Sequence, residues 1–214
     1  NAFNNNDAAE NTSVLYCRVD GAGWHACEMP ARFLRVSGCY FRNTGPITVG
    51  DMSHRGEGLN ELGCGQAIIT DNVFEGIGRC GGIGVNHGSS QVVISGNLFI
   101  NYNGTAIRAS NATVHNNFPS QNIIIKGNII DLTCSGEKAA HRTGILLHTS
   151  DTIASDNQIY VRGQCDPKVE GIQIRDGALN VNVHDNLIRN CGRGIGTCRL
   201  PAQLTEVLDA TRFR

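Results

Sequence analysis

The chain has 214 residues, of which 17% are charged and 26 are glycine, with a formal net charge of −1 and an isoelectric point near 6.7. This balance gives no basic field to attract nucleic acid, and no apolar run approaches the ~20 residues that a membrane helix needs. We therefore expect no nucleic-acid partner and no membrane span, and the length fits one elongated domain. Because the chain starts at Asn1 without an initiating Met, we expect a piece of a longer protein.

The first two predicted repeat units are degenerate. Residues 14–19 and 34–41 each contain an aliphatic stretch, a corner and a second apolar stretch, with Cys17 and Cys39 at the corners. Residues 45–49 supply another predicted strand of the second unit. These segments predict the first two coils of a repeat structure.

Five clearer copies of the unit follow, each an aliphatic strand closed by Gly-Asn or Asp-Asn and then by another apolar pair. The asparagines recur every 25 to 31 residues, and β-rich segments with a period in this range are typical of a solenoid. Asn tolerates the left-handed or bridging backbone conformation of a corner, and its amide can hydrogen-bond to the coils above and below. The predicted column contains Asn72, Asn97, Asn128, Asn157 and Asn186.

A second strand begins in each unit at a small residue followed by Ile. Because the side chains of a strand alternate between its two faces, this Ile and the residue two positions later should point inward and stack into one apolar core. The predicted inward pairs are Ile83 and Val85, Ile107 and Ala109, Ile145 and Leu147, Ile172 and Ile174, and Ile195 and Thr197.

Together these motifs resemble the right-handed parallel β-helix repeat family, the pectate-lyase-like superfold with an internal asparagine ladder. The resemblance covers roughly residues 14–199 and implies an all-β, right-handed parallel β-helix of about seven coils. It also implies a long carbohydrate substrate that lies across the coils, as in the extracellular glycoside hydrolases, lyases and epimerases of this superfold. It assigns no catalytic residue, because the family's known catalytic motifs are absent and the fold carries many unrelated sites.

The segment after residue 199 changes character. Its apolar residues recur at the spacing of one helix face: Leu200, Leu204, Val207 and Leu208. We expect a short helix that caps the open end of the solenoid, where a sheet edge would otherwise be exposed. The predicted domains are a parallel β-helix at residues 1–199 and a helical cap or tail at residues 200–214.

Nine cysteines are many for a reducing compartment, and they form neither a CxxC pair nor a His/Cys cluster. We therefore expect an oxidising, secreted or extracellular location, no metal site and no cofactor. Neighbouring coils stack at about 4.8 Å, within the roughly 4.4–6.8 Å Cα separation that a disulfide spans. Buried free thiols that fill small core positions are the alternative. The predicted disulfides are Cys17–Cys39 and Cys134–Cys165, with Cys191–Cys198 as a weaker third.

The candidate site is the outward face at the end of the second strands, where residues distant in sequence become neighbours. Arg108 and Gln173 stand one position after their inward Ile. The third position gives Gly50, Asn86, Ser110, His148, Arg175 and Cys198, and the fourth gives Asp51, His87, Asn111, Thr149, Asp176 and Arg199.

Two roles are expected on this face. Guanidinium, imidazole, amide and carboxylate groups bind sugar hydroxyls and uronate carboxylates, and paired carboxylates can flank and cleave a glycosidic bond. For Asp176-Gly177 and residues 86–88, turn chemistry alone is the alternative. The predicted binding residues are Arg108, His148, Gln173, Arg175 and Asp176, and the predicted catalytic residues are Asp51 and His87, with Glu57 and Glu61 of the polar loop at residues 52–65 in reserve.

The favoured function is a glycoside hydrolase that acts on an extended polysaccharide or glycan. Two alternatives stay open: a non-catalytic glycan-binding or structural β-helix, such as an adhesin or spike segment, and a polysaccharide lyase or epimerase. Carboxylates that converge within the ~5–9.5 Å window of glycosidases would favour the hydrolase. Carboxylates scattered along the solenoid would favour the binding protein. The sequence leaves the sugar, the linkage and the oligomeric state undetermined.

Overall fold

The computed structural model describes residues 3–4, 9–22, 25–29, 31–49, 66–77, 81–86, 88–110, 120–133, 142–162 and 169–197. Within these ranges the chain forms strands only, numbered β1–β22 in chain order, and no helix. Each strand pairs in parallel with the strands three before and three after it, as β14 does with β11 and β17.

Three parallel sheets result, one from every third strand. Sheet A contains β1 (Phe3–Asn4), β4 (Cys27–Met29), β7 (Ile47–Val49), β10 (Ile83–Val85), β13 (Ile107–Ser110), β16 (Arg142–His148), β19 (Val169–Ile174) and β22 (Arg193–Thr197). Sheet B contains β2 (Ala9–Leu15), β5 (Ala31–Ser37), β8 (Gln66–Thr70), β11 (Ser90–Ser95), β14 (Gln121–Lys126), β17 (Ser150–Ser155) and β20 (Val181–His184). Sheet C contains β3 (Arg18–Asp20), β6 (Tyr40–Arg42), β9 (Val73–Ile77), β12 (Leu98–Asn103), β15 (Ile129–Thr133), β18 (Gln158–Arg162) and β21 (Leu187–Arg189).

The architecture is a right-handed parallel β-helix, as the sequence predicts. One strand from each sheet makes a coil, so that the 7-stranded sheets B and C define seven coils and β22 begins another. The predicted helical cap at residues 200–214 and the domain boundary before it lie outside the described residues.

The apolar core runs along the solenoid axis, between the three sheets. The predicted inward pairs of β10, β13, β16 and β19 are buried, with exposures of 0–1%. The pair in β22 is different, because Ile195 is only partly buried and Thr197 is exposed. On the sheet C side, the rings of Phe41, Phe74 and Phe99 stack along the axis with centroids 5.2 and 4.7 Å apart.

Close packing requires a glycine before the inward Ile of β10, β16 and β19. A Cβ on Gly144 would lie 2.7 Å from Cγ2 of Ile159 and 2.6 Å from the backbone oxygen of Gly171. A Cβ on Gly82 would meet the ring of Phe99 at 2.4 Å. Core side chains from sheet C therefore occupy the space beside these glycines, where a Cβ would otherwise lie.

The predicted asparagine ladder is present between sheets B and C. In each step, Oδ1 of one Asn accepts the backbone N–H and the side-chain N–H of the Asn one coil earlier, as Asn128 Oδ1 does from Asn97 at 3.0 Å in both cases. Of the two predicted corner conformations, the left-handed one belongs not to the asparagines but to the residue before each of them. Those residues are Asp71, Gly96, Gly127, Asp156 and Asp185, with φ between 54° and 66°.

Cys39 occupies the ladder position of the second coil. Its backbone N–H donates to Oδ1 of Asn72 at 3.0 Å, and its sulfur accepts the backbone N–H of Cys17 at 3.3 Å, as an Asn oxygen does elsewhere. The predicted Cys17–Cys39 disulfide is not formed, since both are free cysteines. The Cys39 thiol lies 3.4 Å from the carbonyl oxygen of Ser37, and the Cys17 thiol lies 3.3 Å from that of Leu15.

Burial raises the pKa of the Cys39 thiol above that of an exposed thiol, which favours the neutral form in the ladder. The described part of the chain thus gives no support to the predicted disulfides. The partners needed for the other two predicted pairs, Cys134, Cys165 and Cys198, lie outside those residues.

Candidate functional site on the outer face of sheet A

The central outward row of sheet A contains two of the predicted binding residues. Arg108 on β13, Leu146 on β16, Gln173 on β19 and Gly196 on β22 are direct neighbours in register. Arg108 is exposed and Gln173 is half-buried, whereas Leu146 between them is 6% exposed. The row therefore brings the two polar side chains onto one face, on either side of an aliphatic residue.

The next outward row contains His148 at the end of β16 and Arg175 directly after β19. Ser110 is in register with His148, and the backbone N–H of Arg175 donates to the carbonyl of Leu147 at 2.8 Å. The side chain of Arg175 also donates from Nε to Oε1 of Gln173 at 3.3 Å. This contact links the two rows and restricts the orientation of the guanidinium group.

Asp176 lies in a tight turn rather than in a row of the sheet. The backbone N–H of Ala178 donates to the carbonyl of Arg175 at 3.2 Å, and Gly177 has φ of +87°, as the third residue of a type II turn requires. A Cβ on Gly177 would be 3.6 Å from Nε2 of His148, so the imidazole lies against this turn. Asp176 is exposed at the second turn position.

The predicted alignment of Thr149 with Asp176 is wrong. Thr149 is fully buried and its hydroxyl is 2.8 Å from that of Thr152. One residue separates His148 from β17, whereas the turn after Arg175 contains several residues before β20. Asp176 therefore belongs to a longer connection, and the fourth outward row does not continue from coil to coil.

Glu170 and Arg193 are part of this face and were missed by the sequence analysis. They are in register on β19 and β22, and Oε1 of Glu170 is 3.5 Å from the Arg193 guanidinium. The Glu170 carboxylate also reaches Gly196, because a Cβ there would be 2.6 Å from Oε1. Glu170 stands two residues before the inward Ile172, so alternation alone would place it with the inward set. Its neighbour Gly171 instead fills an inward position, because a Cβ there would meet Ile188.

The predicted catalytic set remains a prediction. Asp51, Glu57, Glu61 and His87 all lie outside the described residues. The structure therefore brings together the predicted binding residues, while the catalytic residues have no described position relative to them. Within the described residues, no group of three or more His, Cys, Asp and Glu side chains is placed to hold a metal ion. No helix in those ranges is long and apolar enough to cross a membrane.

Exposure is uneven along sheet A. Strands of sheets B and C alternate buried and accessible side chains, but all residues of β7 and β10 are buried, as are all of β16 except His148. Thr48, which points outward from β7, is 5% exposed. Among the strands of sheet A whose side chains are described, the accessible polar groups are Arg108, His148 and those of the C-terminal coils from β19 onward.

Comparison with known proteins identifies the fold. No family model and no curated protein match the chain. The crystal structure of PfbA, a surface adhesin of Streptococcus pneumoniae, aligns with a TM-score of 0.62 at 17% identity, over 87% of this chain and 46% of that one. The periplasmic alginate epimerase AlgG, in a double-mutant form, aligns with a TM-score of 0.34 at 12% identity, over 94% of this chain and 60% of that one. The chain thus spans less than half of the PfbA structure, and the likeness to PfbA shows the parallel β-helix fold.

Proposed function

We propose that the protein binds an extended glycan on the outer face of sheet A, around β13, β16 and β19. The observation that carries the proposal is the strand register, which collects Arg108, His148, Gln173 and Arg175 on one face although they come from three coils. Guanidinium donors, an imidazole and an amide with both donor and acceptor atoms match the hydroxyl and carboxylate groups of a saccharide.

The geometry suits a polymer better than a small molecule. Successive strands of a parallel sheet are about 4.8 Å apart, so Arg108 and Gln173, which stand two strands apart with Leu146 between them, are spread along the axis. Arg175 is held by Gln173, which reduces the side-chain entropy lost when a ligand binds. An extended ligand lying along the axis would contact both rows at once.

A location outside the cytoplasm is part of the proposal. The chain's nine cysteines favour an oxidising compartment, and the neighbour in fold is a surface adhesin. A glycan-binding β-helix exposed to extracellular polysaccharides or host glycans accounts for both.

A glycan array tests the proposal. We expect the parent protein to bind a limited set of glycans, and Arg175→Ala to weaken that binding about tenfold through loss of a charge-assisted contact. Arg35→Ala removes a guanidinium that is exposed on the outer face of sheet B and is the control. Unchanged affinity in Arg175→Ala, or equal losses in both variants, would overturn the assignment to sheet A.

Hydrolysis of the bound glycan is the second candidate function. The observation that favours it is Glu170, a carboxylate on the same face whose Oε2 is buried without a hydrogen-bond partner among the described residues. In this proposal Asp51 and His87 carry the acid–base chemistry, with Glu57 and Glu61 in reserve. Asp51→Asn should abolish turnover and leave binding intact. Full activity of Asp51→Asn on a substrate that the parent cleaves would remove the catalytic assignment, and unsaturated products would indicate a lyase instead.

A further inference from the structure

A second concave site lies on a different sheet, at the C-terminal end of sheet C. A cavity of about 350 Å³ is lined by Gln158 and Tyr160 of β18, Leu187 and Arg189 of β21, and Asn190, together with Ile159. This volume is at the lower end of the roughly 300–1,000 Å³ range of ligand pockets. No residue of this cavity belongs to the outer face of sheet A.

The cavity results from a difference in strand length. β21 ends at Arg189, and Asn190 after it has a left-handed conformation with φ of 56°. β18, one coil earlier, continues past this register position to Arg162. The chain therefore leaves sheet C sooner in the last coil than in the coil before it. The step between the two strands leaves Tyr160 beside Arg189, with which it is paired in register.

The charge at the step is positive. Arg189 is exposed and makes no salt bridge within the described residues, unlike Arg162, whose Nε is 2.6 Å from the buried Asp131 carboxylate. Asp131 is the register neighbour of Tyr160 on the other side and is 1% exposed. Because Arg162 pairs with this acid, Arg189 is the guanidinium at the cavity that has no acidic partner within the described residues.

We propose that this cavity is a second binding site, specific for a carboxylate-bearing sugar unit such as a uronate. A guanidinium group pairs with a carboxylate through two parallel hydrogen bonds. The amides of Gln158 and Asn190 offer donors and acceptors to the sugar hydroxyls, and Tyr160 and Leu187 supply an apolar wall for the C–H face of a pyranose ring. A simple anion would use Arg189 and leave the amides and the apolar wall without a role.

The test is a titration of isotopically labelled protein with uronate oligosaccharides, observed at the tyrosine ring carbons. We expect the Tyr160 signal to shift, while the signal of Tyr40, at the other end of the same sheet face, stays in place. Oligosaccharides whose carboxylates have been reduced to alcohols should bind at least about tenfold more weakly.

Two variants separate this site from the rest of the molecule. Arg189→Ala should weaken uronate binding at Tyr160 about tenfold, whereas Lys126→Ala, which removes an exposed cation from the outer face of sheet B, should not change it. Arg175→Ala should leave the Tyr160 response intact even if it abolishes binding on sheet A, so that the two proposals fail independently. The inference is overturned if no uronate shifts Tyr160 at millimolar concentration, if reduced oligosaccharides bind equally well, or if Arg189→Ala behaves like Lys126→Ala.

Discussion

Asn128 illustrates how a single side chain joins three coils. Its Oδ1 accepts from Asn97, and its Nδ2 donates to Oδ1 of Asn157 at 2.9 Å and to the carbonyl oxygen of Ile94 at 3.1 Å. The side chain has no solvent exposure. Since buried amides without partners are costly, the ladder stabilises the solenoid mainly by satisfying corner groups that water cannot reach.

Replacing Asn128 by Leu should lower the free energy of unfolding by roughly 1–3 kcal/mol, because the buried N–H of Asn97 loses its acceptor. Urea denaturation measures the change. Asn182→Leu is the matched control, since Asn182 is exposed on the outer face of sheet B and should change stability by less than about 0.5 kcal/mol. Equal losses in the two variants would contradict the role given to the ladder.

Tyr40 provides a test of surface electrostatics at the residue scale. Its hydroxyl donates to the Glu75 carboxylate, and this hydrogen bond is the main cause that raises the pKa of Tyr40 above 10.0. A raised pKa means that the neutral phenol is favoured in the folded state. The stability that this hydrogen bond adds is therefore complete below about pH 10 and is lost as the pH rises through the pKa of Tyr40 in the folded protein.

The expected measurement is a titration of the Tyr40 ring carbon by nuclear magnetic resonance, in the parent and in Glu75→Gln. The parent value should lie above 10.0, and the substitution should lower it because a neutral amide no longer favours the protonated phenol. The same pKa in both proteins would show that Glu75 is not the cause.

At the scale of the element, the start of each sheet A strand depends on a residue without a large side chain. We expect Gly144→Ala to destabilise by about 1–3 kcal/mol, because the added Cβ would overlap Ile159 and the Gly171 carbonyl. Thermal unfolding measures this loss. Gly127→Asp is the control, since Gly127 has open space around it and Asp185 adopts the same left-handed conformation two coils later. A larger loss in the control would refute the steric explanation.

The strands and the ladder were predictable because they depend on short-range alternation and on a corner motif that recurs in register. The neighbours on the outer face of sheet A were harder to predict from the sequence. Which residues share a row there depends on the lengths of the turns, and the alternation of side chains gives no information about those lengths. Thr149 was misaligned with Asp176 for this reason, and Glu170 was missed because Gly171 takes up an extra inward position. The prediction that Cys17 and Cys39 lie on neighbouring coils was correct, but proximity alone does not form a disulfide. Cys39 instead makes the hydrogen bonds of a ladder asparagine.

At the scale of the whole molecule, each coil contacts mainly its two neighbours, as expected for a solenoid. One core runs through all coils, and three outer faces are left for function. The two proposed binding sites lie on different faces, sheet A around Arg175 and sheet C around Arg189. Variants on one face at a time therefore test each proposal separately.

The most direct test of the central claim is a crystal structure of the parent protein with the glycan that binds most tightly in the array. We predict sugar units along the outer face of sheet A, in hydrogen-bond contact with Gln173 and Arg175 and near His148. A bound glycan that contacts only sheet B or sheet C, with the outer face of sheet A free of sugar, would contradict the claim.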